Sequence, residues 1–62
     1  MPAYTVTFLN ADGTMSHRRR VHGETDDHVI ELVGEIEHPY AIDIHHRGRH
    51  VARFPPWLRR LI

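Results

Sequence analysis

Seven histidines and eight arginines, in a chain of 62 residues with no cysteine and no lysine, are the side chains with the most chemistry to offer. Imidazole is the commonest metal ligand, and zinc needs three or four ligands converging at about 2 Å. His28 stands alone in a helical stretch, with no second histidine four residues away. His45 and His50 become cross-strand neighbours only if the turn between them is the two-residue Arg47-Gly48, and the apolar pattern favours a three-residue loop that separates them. Without cysteine there is no thiolate site and no disulfide framework. The expectation is scattered surface histidines with no metal site and no cofactor; metal capture ranks third among the functional readings.

Catalytic chemistry finds less support. Ser16 is the single serine, on a strand beside His17 and arginines, with no acid positioned to orient a base. There is no nucleophile elbow, Gly-rich phosphate loop or spaced carboxylate pair. One helix over one sheet leaves little room for a pocket of roughly 300 Å³ or more. The sequence therefore predicts no catalytic residue and no enzyme.

The arginines are concentrated. His17-Arg18-Arg19-Arg20-Val21-His22 and His45-His46-Arg47-Gly48-Arg49-His50 are basic runs, with Arg59-Arg60 near the end. Six of the eight acids fall between Glu24 and Glu37. A formal net charge of zero thus conceals a dipolar molecule, acidic in one segment and basic in two others. β-Ribbons can enter a major groove, and a sheet can carry RNA bases on aromatic side chains. Alternation turns Tyr4, Phe8, Tyr40 and Phe54 toward the helix, so Arg18, Arg20, Arg47, Arg49 and Arg53 offer phosphate contacts alone. A nucleic-acid-binding regulator is the second reading. Exclusive use of arginine fits a GC-rich bacterial genome as well as any need for guanidinium forks.

These residues are positioned by two hairpins and a helix. Tyr4, Val6 and Phe8 alternate along residues 4–9, and Asn10-Ala11-Asp12-Gly13 is a turn with glycine available for positive φ. Met15 to His22 returns. A four-residue loop sets Phe8 against Met15 and Val6 against His17, gathering the apolar residues; a three-residue loop pairs Leu9 with Met15 and splits them. The first is preferred. Thr25 is a good N-cap, Asp26 and Asp27 complement the helix dipole, and Val29, Leu32, Val33 and Ile36 form the apolar stripe of a helix over 25–37. Asp27, Glu31 and Glu35 make an acidic row. Gly34 suits a close approach to the sheet, and Pro39 marks the end. In the second hairpin, 40–54, a three-residue His46-Arg47-Gly48 loop places Tyr40 by Phe54, Ile42 by Ala52 and Ile44 by His50.

The elements assemble as an α+β ββαββ domain spanning 1–62, with hairpin 4–22, helix 25–37, hairpin 40–54 and tail 55–62. A right-handed crossover gives a four-stranded antiparallel sheet of order 2-1-3-4, one face covered by the helix. The run Phe8-Leu9-Asn10-Ala11-Asp12-Gly13, the helix start Thr25-Asp26-Asp27 and the strand Gly48-Arg49-His50-Val51-Ala52-Arg53 resemble a group of short uncharacterised bacterial proteins. Those share a D-G turn, an acidic helix start and a G-R-x-V-A-type final strand. The resemblance covers residues 4–54, excludes the tail and implies a fold but no activity.

Sixty-two residues make one small core, burying about 60% of the unfolded chain's surface. Self-association is a natural remedy, and a pI near 7.1 favours it. The tail carries Trp57, Leu58, Leu61 and Ile62 around Arg59-Arg60, and could form a short helical turn. The first functional reading is therefore a non-catalytic interaction module. It would form homo-oligomers, a dimer first, through the open sheet face or edge and Trp57, Leu58, Leu61 and Arg53; another protein partner is the next possibility. The apolar stretches are too short to span a membrane, and Met1-Pro2-Ala3 lacks the features of a signal peptide. The expected location is cytoplasmic.

Overall fold

The computed structural model describes residues 2–56. Strands β1 (Ala3–Leu9) and β2 (Met15–His22), helix α1 (Asp26–Gly34), and strands β3 (Ile42–His46) and β4 (Arg49–Phe54) follow one another. The strands form one antiparallel sheet in the order β2-β1-β3-β4. The expected ββαββ architecture and strand order are both observed. The tail residues Trp57, Leu58 and Leu61, with the helical turn expected there, lie outside the described residues.

The β1 alternation does what its pattern dictates. Tyr4, Val6 and Phe8 are buried and meet Ile42 and Ile44 of β3, and Val29 and Val33 of α1, in one core. Each such burial contributes about 1.5–3 kcal/mol. Three cross-sheet rows face the helix: Val21–Tyr4–His46–Arg49, Arg19–Val6–Ile44–Ala52 and His17–Phe8–Ile42–Phe54.

Both hairpin registers differ from expectation, for related reasons. In the first, Leu9 pairs with Met15 and Phe8 with His17, with a bulge between them, so Val6 faces Arg19. The loop is the tighter one. Gly13 takes φ 90° and donates to the Asn10 carbonyl at 3.0 Å. The Asp12 carboxylate accepts from the Thr14 backbone N–H and hydroxyl. The bulge then restores the face, which is why Met15 can be displaced at little cost; it is exposed. In the second hairpin the turn is two residues, Arg47-Gly48, at φ 54° and 79°, the double positive φ of a type I′ turn. Ile42 therefore meets Phe54 and Ile44 meets Ala52, while a bulge leaves Val51 unpaired and sets His45 opposite His50. The shift along the partner strand is two residues, which preserves the apolar face. Tyr40 falls outside β3 and is 41% exposed, instead of packing by Phe54.

The helix is shorter than the pattern suggests. Thr25 Oγ1 caps it, accepting from the His28 N–H at 3.1 Å. It ends at Gly34, and the next N–H groups tighten onto the carbonyls three residues back. Phe54 fills the space beside Gly34, where an added Cβ would lie 3.4 Å from the ring, so this glycine does mark the approach to the sheet. Val29, Val33 and Ile36 pack inward as expected, but Leu32 is 42% exposed and Ile30 joins the core margin instead. Gly23, before the helix, has room for no side chain, because a Cβ there would strike Val29 Cγ2.

Candidate functional site

The sheet face turned away from the helix is defined by residues opposite one another in the ladders. One row runs Arg18–Thr7–Asp43–Arg53 and the next Arg20–Thr5–His45–His50. Neither row contains a large apolar side chain, so these two rows are hydrophilic and cationic, with Asp43 their one acid. The acidic row is exposed, with Asp27 and Glu31 on α1 and Glu35 at its C-cap, in the layer on the opposite side of the sheet. The charge segregation read from the sequence is thus in part a segregation between two faces, with Arg19 and Arg49 on the helix side and Asp43 on the other.

The arginines have two different fates. Arg53 is held by Asp43, donating from Nε to Oδ1 and from a terminal nitrogen to Oδ2, each at 2.7 Å. Asp43 is 8% exposed, and His50 Nε2 lies 3.3 Å from its Oδ1. The Arg53 bonds hold the Asp43 carboxyl below the usual carboxylate range against the opposing pull of burial, with His50 assisting. Arg49 lies on the helix face, 3.2 Å from Asp26 Oδ2. The Tyr4 hydroxyl donates to Asp26 Oδ1 at 2.7 Å and is the main reason that carboxyl is also held low; Arg49 adds to it. The same bond raises the Tyr4 phenol. His46 stacks on Tyr4 at 4.4 Å, completing a clasp between the helix start and the sheet.

Arg18, Arg19 and Arg20 make no ion pair or side-chain hydrogen bond among the described residues. They and Thr5 line an open depression of about 330 Å³. That hollow lies at the outer strand, not between helix and sheet. A depression of that size at the outer strand is more room than so small a fold was expected to offer.

The candidate residues accordingly divide. Arg18 and Arg20 form one group at the β2 edge. Arg53 shares their face at the other edge, three strand spacings or about 14 Å away. Arg49 is on the opposite face and Arg47 is in the turn. His45 and His50 do become neighbours, with ring centroids 5.0 Å apart. Among the described residues no group of three or more histidines, aspartates and glutamates is arranged to hold a metal ion. No described helix is long and apolar enough to cross a membrane.

Sequence reasoning overlooked Thr5 and Thr7, the hydroxyls between the two basic edges. Their outward alternation with Tyr4, Val6 and Phe8 was the available signal. No protein-family model, curated protein or solved structure matches the chain.

Proposed function

We propose that this chain is a small non-catalytic interaction module that self-associates by setting the acidic helix of one copy against the cationic open face of another. The observation that supports it is the placement, on opposite sides of the sheet, of an exposed acidic row and of Arg18 and Arg20, which have no ion-pair partner among the described residues. The spacings match. Asp27, Glu31 and Glu35 recur every four helical residues, about 6 Å, and Arg18, Arg20 and His22 every two strand residues, about 6.7 Å. Open face against open face would instead oppose arginine to arginine. Exposed ion pairs contribute at most about 1 kcal/mol each. The apolar part of such a contact is assigned to Trp57, Leu58 and Leu61, with Arg53 at the rim of the face; tryptophan and arginine are favoured interface anchors.

Sedimentation equilibrium at low and high salt tests this directly. Wild-type protein is expected to associate at low salt and dissociate as salt rises. Arg18→Glu/Arg20→Glu and Glu31→Arg/Glu35→Arg are each expected to be monomeric alone and to assemble when mixed. A wild-type chain still monomeric at about 1 mM in low salt removes the proposal.

A nucleic-acid-binding regulator is the second reading. It is favoured by three contiguous arginines with no ion-pair partner among the described residues, on a strand that contains no acid. It requires affinity that falls steeply with salt as counterions are released.

A further inference from the structure

We infer that the depression on β2 is a binding site for the phosphate group of a phosphorylated ligand, with Arg18, Arg20 and Thr5 as its direct contacts and Arg19 at its rim. The inference needs the open face to be accessible and does not depend on self-association.

Arg20 is directly opposite Thr5 in the β1–β2 ladder, and Arg18 is two residues along the same strand on the same face. The two arginines are thus spaced about 6.7 Å along the strand, Arg20 opposite the Thr5 hydroxyl and Arg18 opposite Thr7. A guanidinium has five N–H donors and no acceptor. The nearest acid in the two rows is Asp43, already engaged by Arg53 and His50. Donors are thus in excess here, and the exposed N–H groups that now face solvent are available to an anionic ligand. A carboxylate has two oxygens and one charge, enough for a single fork. A phosphate monoester has three terminal oxygens and about −1.5 to −2 charges at neutral pH, enough for both forks and the hydroxyl together. The hollow, about 330 Å³, is larger than a phosphate group alone, which leaves room for the body that carries it.

The rest of the molecule supports the assignment by contrast. In the Arg53–Asp43–His50 group and in the Tyr4–Asp26–Arg49 clasp the arginine is already paired with a carboxylate. Among the described residues Arg18 and Arg20 are neighbours on one face of β2, and neither is paired with an acid.

The test is a titration of dilute, monomeric protein at constant ionic strength, followed residue by residue by NMR. The probes are inorganic phosphate, pyrophosphate, a nucleoside monophosphate and a short single-stranded oligonucleotide, with chloride as control. Saturable shifts centred on Thr5 and Arg18–Arg20, absent with chloride, are expected for at least one phosphate probe. Arg18→Ala/Arg20→Ala should weaken that probe at least about tenfold, as loss of charge-assisted bonds requires. Thr5→Val should weaken it less, and Arg19→Ala least. Tight binding of the monophosphate with none of the oligonucleotide assigns a small phosphorylated compound. The reverse assigns a nucleic-acid strand, with the same contacts. No saturable response, or one unchanged in Arg18→Ala/Arg20→Ala, overturns the site. Because dilute protein is used, that failure leaves the self-association result standing or falling by its own experiment.

Discussion

The two outer strands of the sheet make opposite uses of the same residue type. In β4, Arg49 and Arg53 are each tied to an aspartate, and Val51, Ala52 and Phe54 lie partly under the helix. In β2, every residue except the half-buried Val21 is exposed, and Arg18, Arg19 and Arg20 have no acid among the described residues. The cause lies in the apolar content of the strands. A nine-residue helix spans only about 13 Å and covers what the apolar stripe offers it, and its end is fixed by Phe54 packing on Gly34. β2 offers Val21 and little else, so it is held by its ladder to β1 and by His17 stacked on Phe8 at 4.4 Å. Arginines on a sheet edge discourage indiscriminate strand addition, which gives β2 a structural benefit from its charge. That benefit does not require the three to be adjacent and to line one open depression.

The largest expected effect compares two ends of one cross-sheet row, His17–Phe8–Ile42–Phe54. Phe54→Ala should cost about 2–4 kcal/mol, somewhat below the loss for a fully buried ring. His17→Ala, at the exposed end, should cost less than about 1 kcal/mol. Urea denaturation measures both, and comparable losses would show that β2 is packed as firmly as β4. Next is Asp43→Ala, expected to cost about 1–2 kcal/mol through loss of two charge-assisted bonds. Arg18→Ala and Arg20→Ala should leave the melting midpoint unchanged. A drop in either would reveal a partner for those arginines within the fold and would weaken the case for an external one.

Acid stability sharpens the same contrast. Asp43 and Asp26 both have carboxyls held below their unfolded values, so the unfolded chain binds more protons at low pH. Their stabilisation is complete above the ordinary carboxylate value near pH 4 and is lost as pH falls through the lower folded values. Asp43→Asn should flatten the decline of stability below about pH 4, whereas Arg18→Ala should leave its shape unaltered. Equal flattening by both would mean that β2 also pairs with a titrating acid.

The sequence made the architecture legible because its signals were local and redundant. The β1 alternation, the Thr25 cap, the helical stripe and the glycine-bearing turns all agreed on ββαββ. The registers were misread because alternation is blind to bulges. A bulge at each hairpin let a tighter turn coexist with an unbroken apolar face, and no residue type announces that exchange. The same blindness separated His45 from His50 and placed Tyr40 in the core. For the site, alternation was sufficient to put Arg18 and Arg20 outward. It could not show that Asp43 and Asp26 would engage Arg53 and Arg49, since those pairings join residues 10 and 23 positions apart.

The smallest predicted effect concerns Arg47, a residue that the charge pattern grouped with the other basic candidates. It occupies the first turn position at φ 54°, where a side chain other than asparagine, aspartate or glycine is disfavoured. The turn therefore forms in spite of this residue, held by the Ile42–Phe54 and Ile44–Ala52 pairs behind it. Arg47→Asn creates the Asn-Gly dipeptide that a type I′ turn prefers and should stabilise the fold by about 0.5–1 kcal/mol, read as a higher denaturation midpoint. If Arg47 bears no ligand, the variant should bind phosphate probes as the wild type does, which separates it from Arg18 and Arg20 despite the same charge. Loss of stability instead would mean that the Arg47 side chain has a contact that offsets its backbone strain. Loss of phosphate binding would extend the site from the β2 edge to the far end of the sheet.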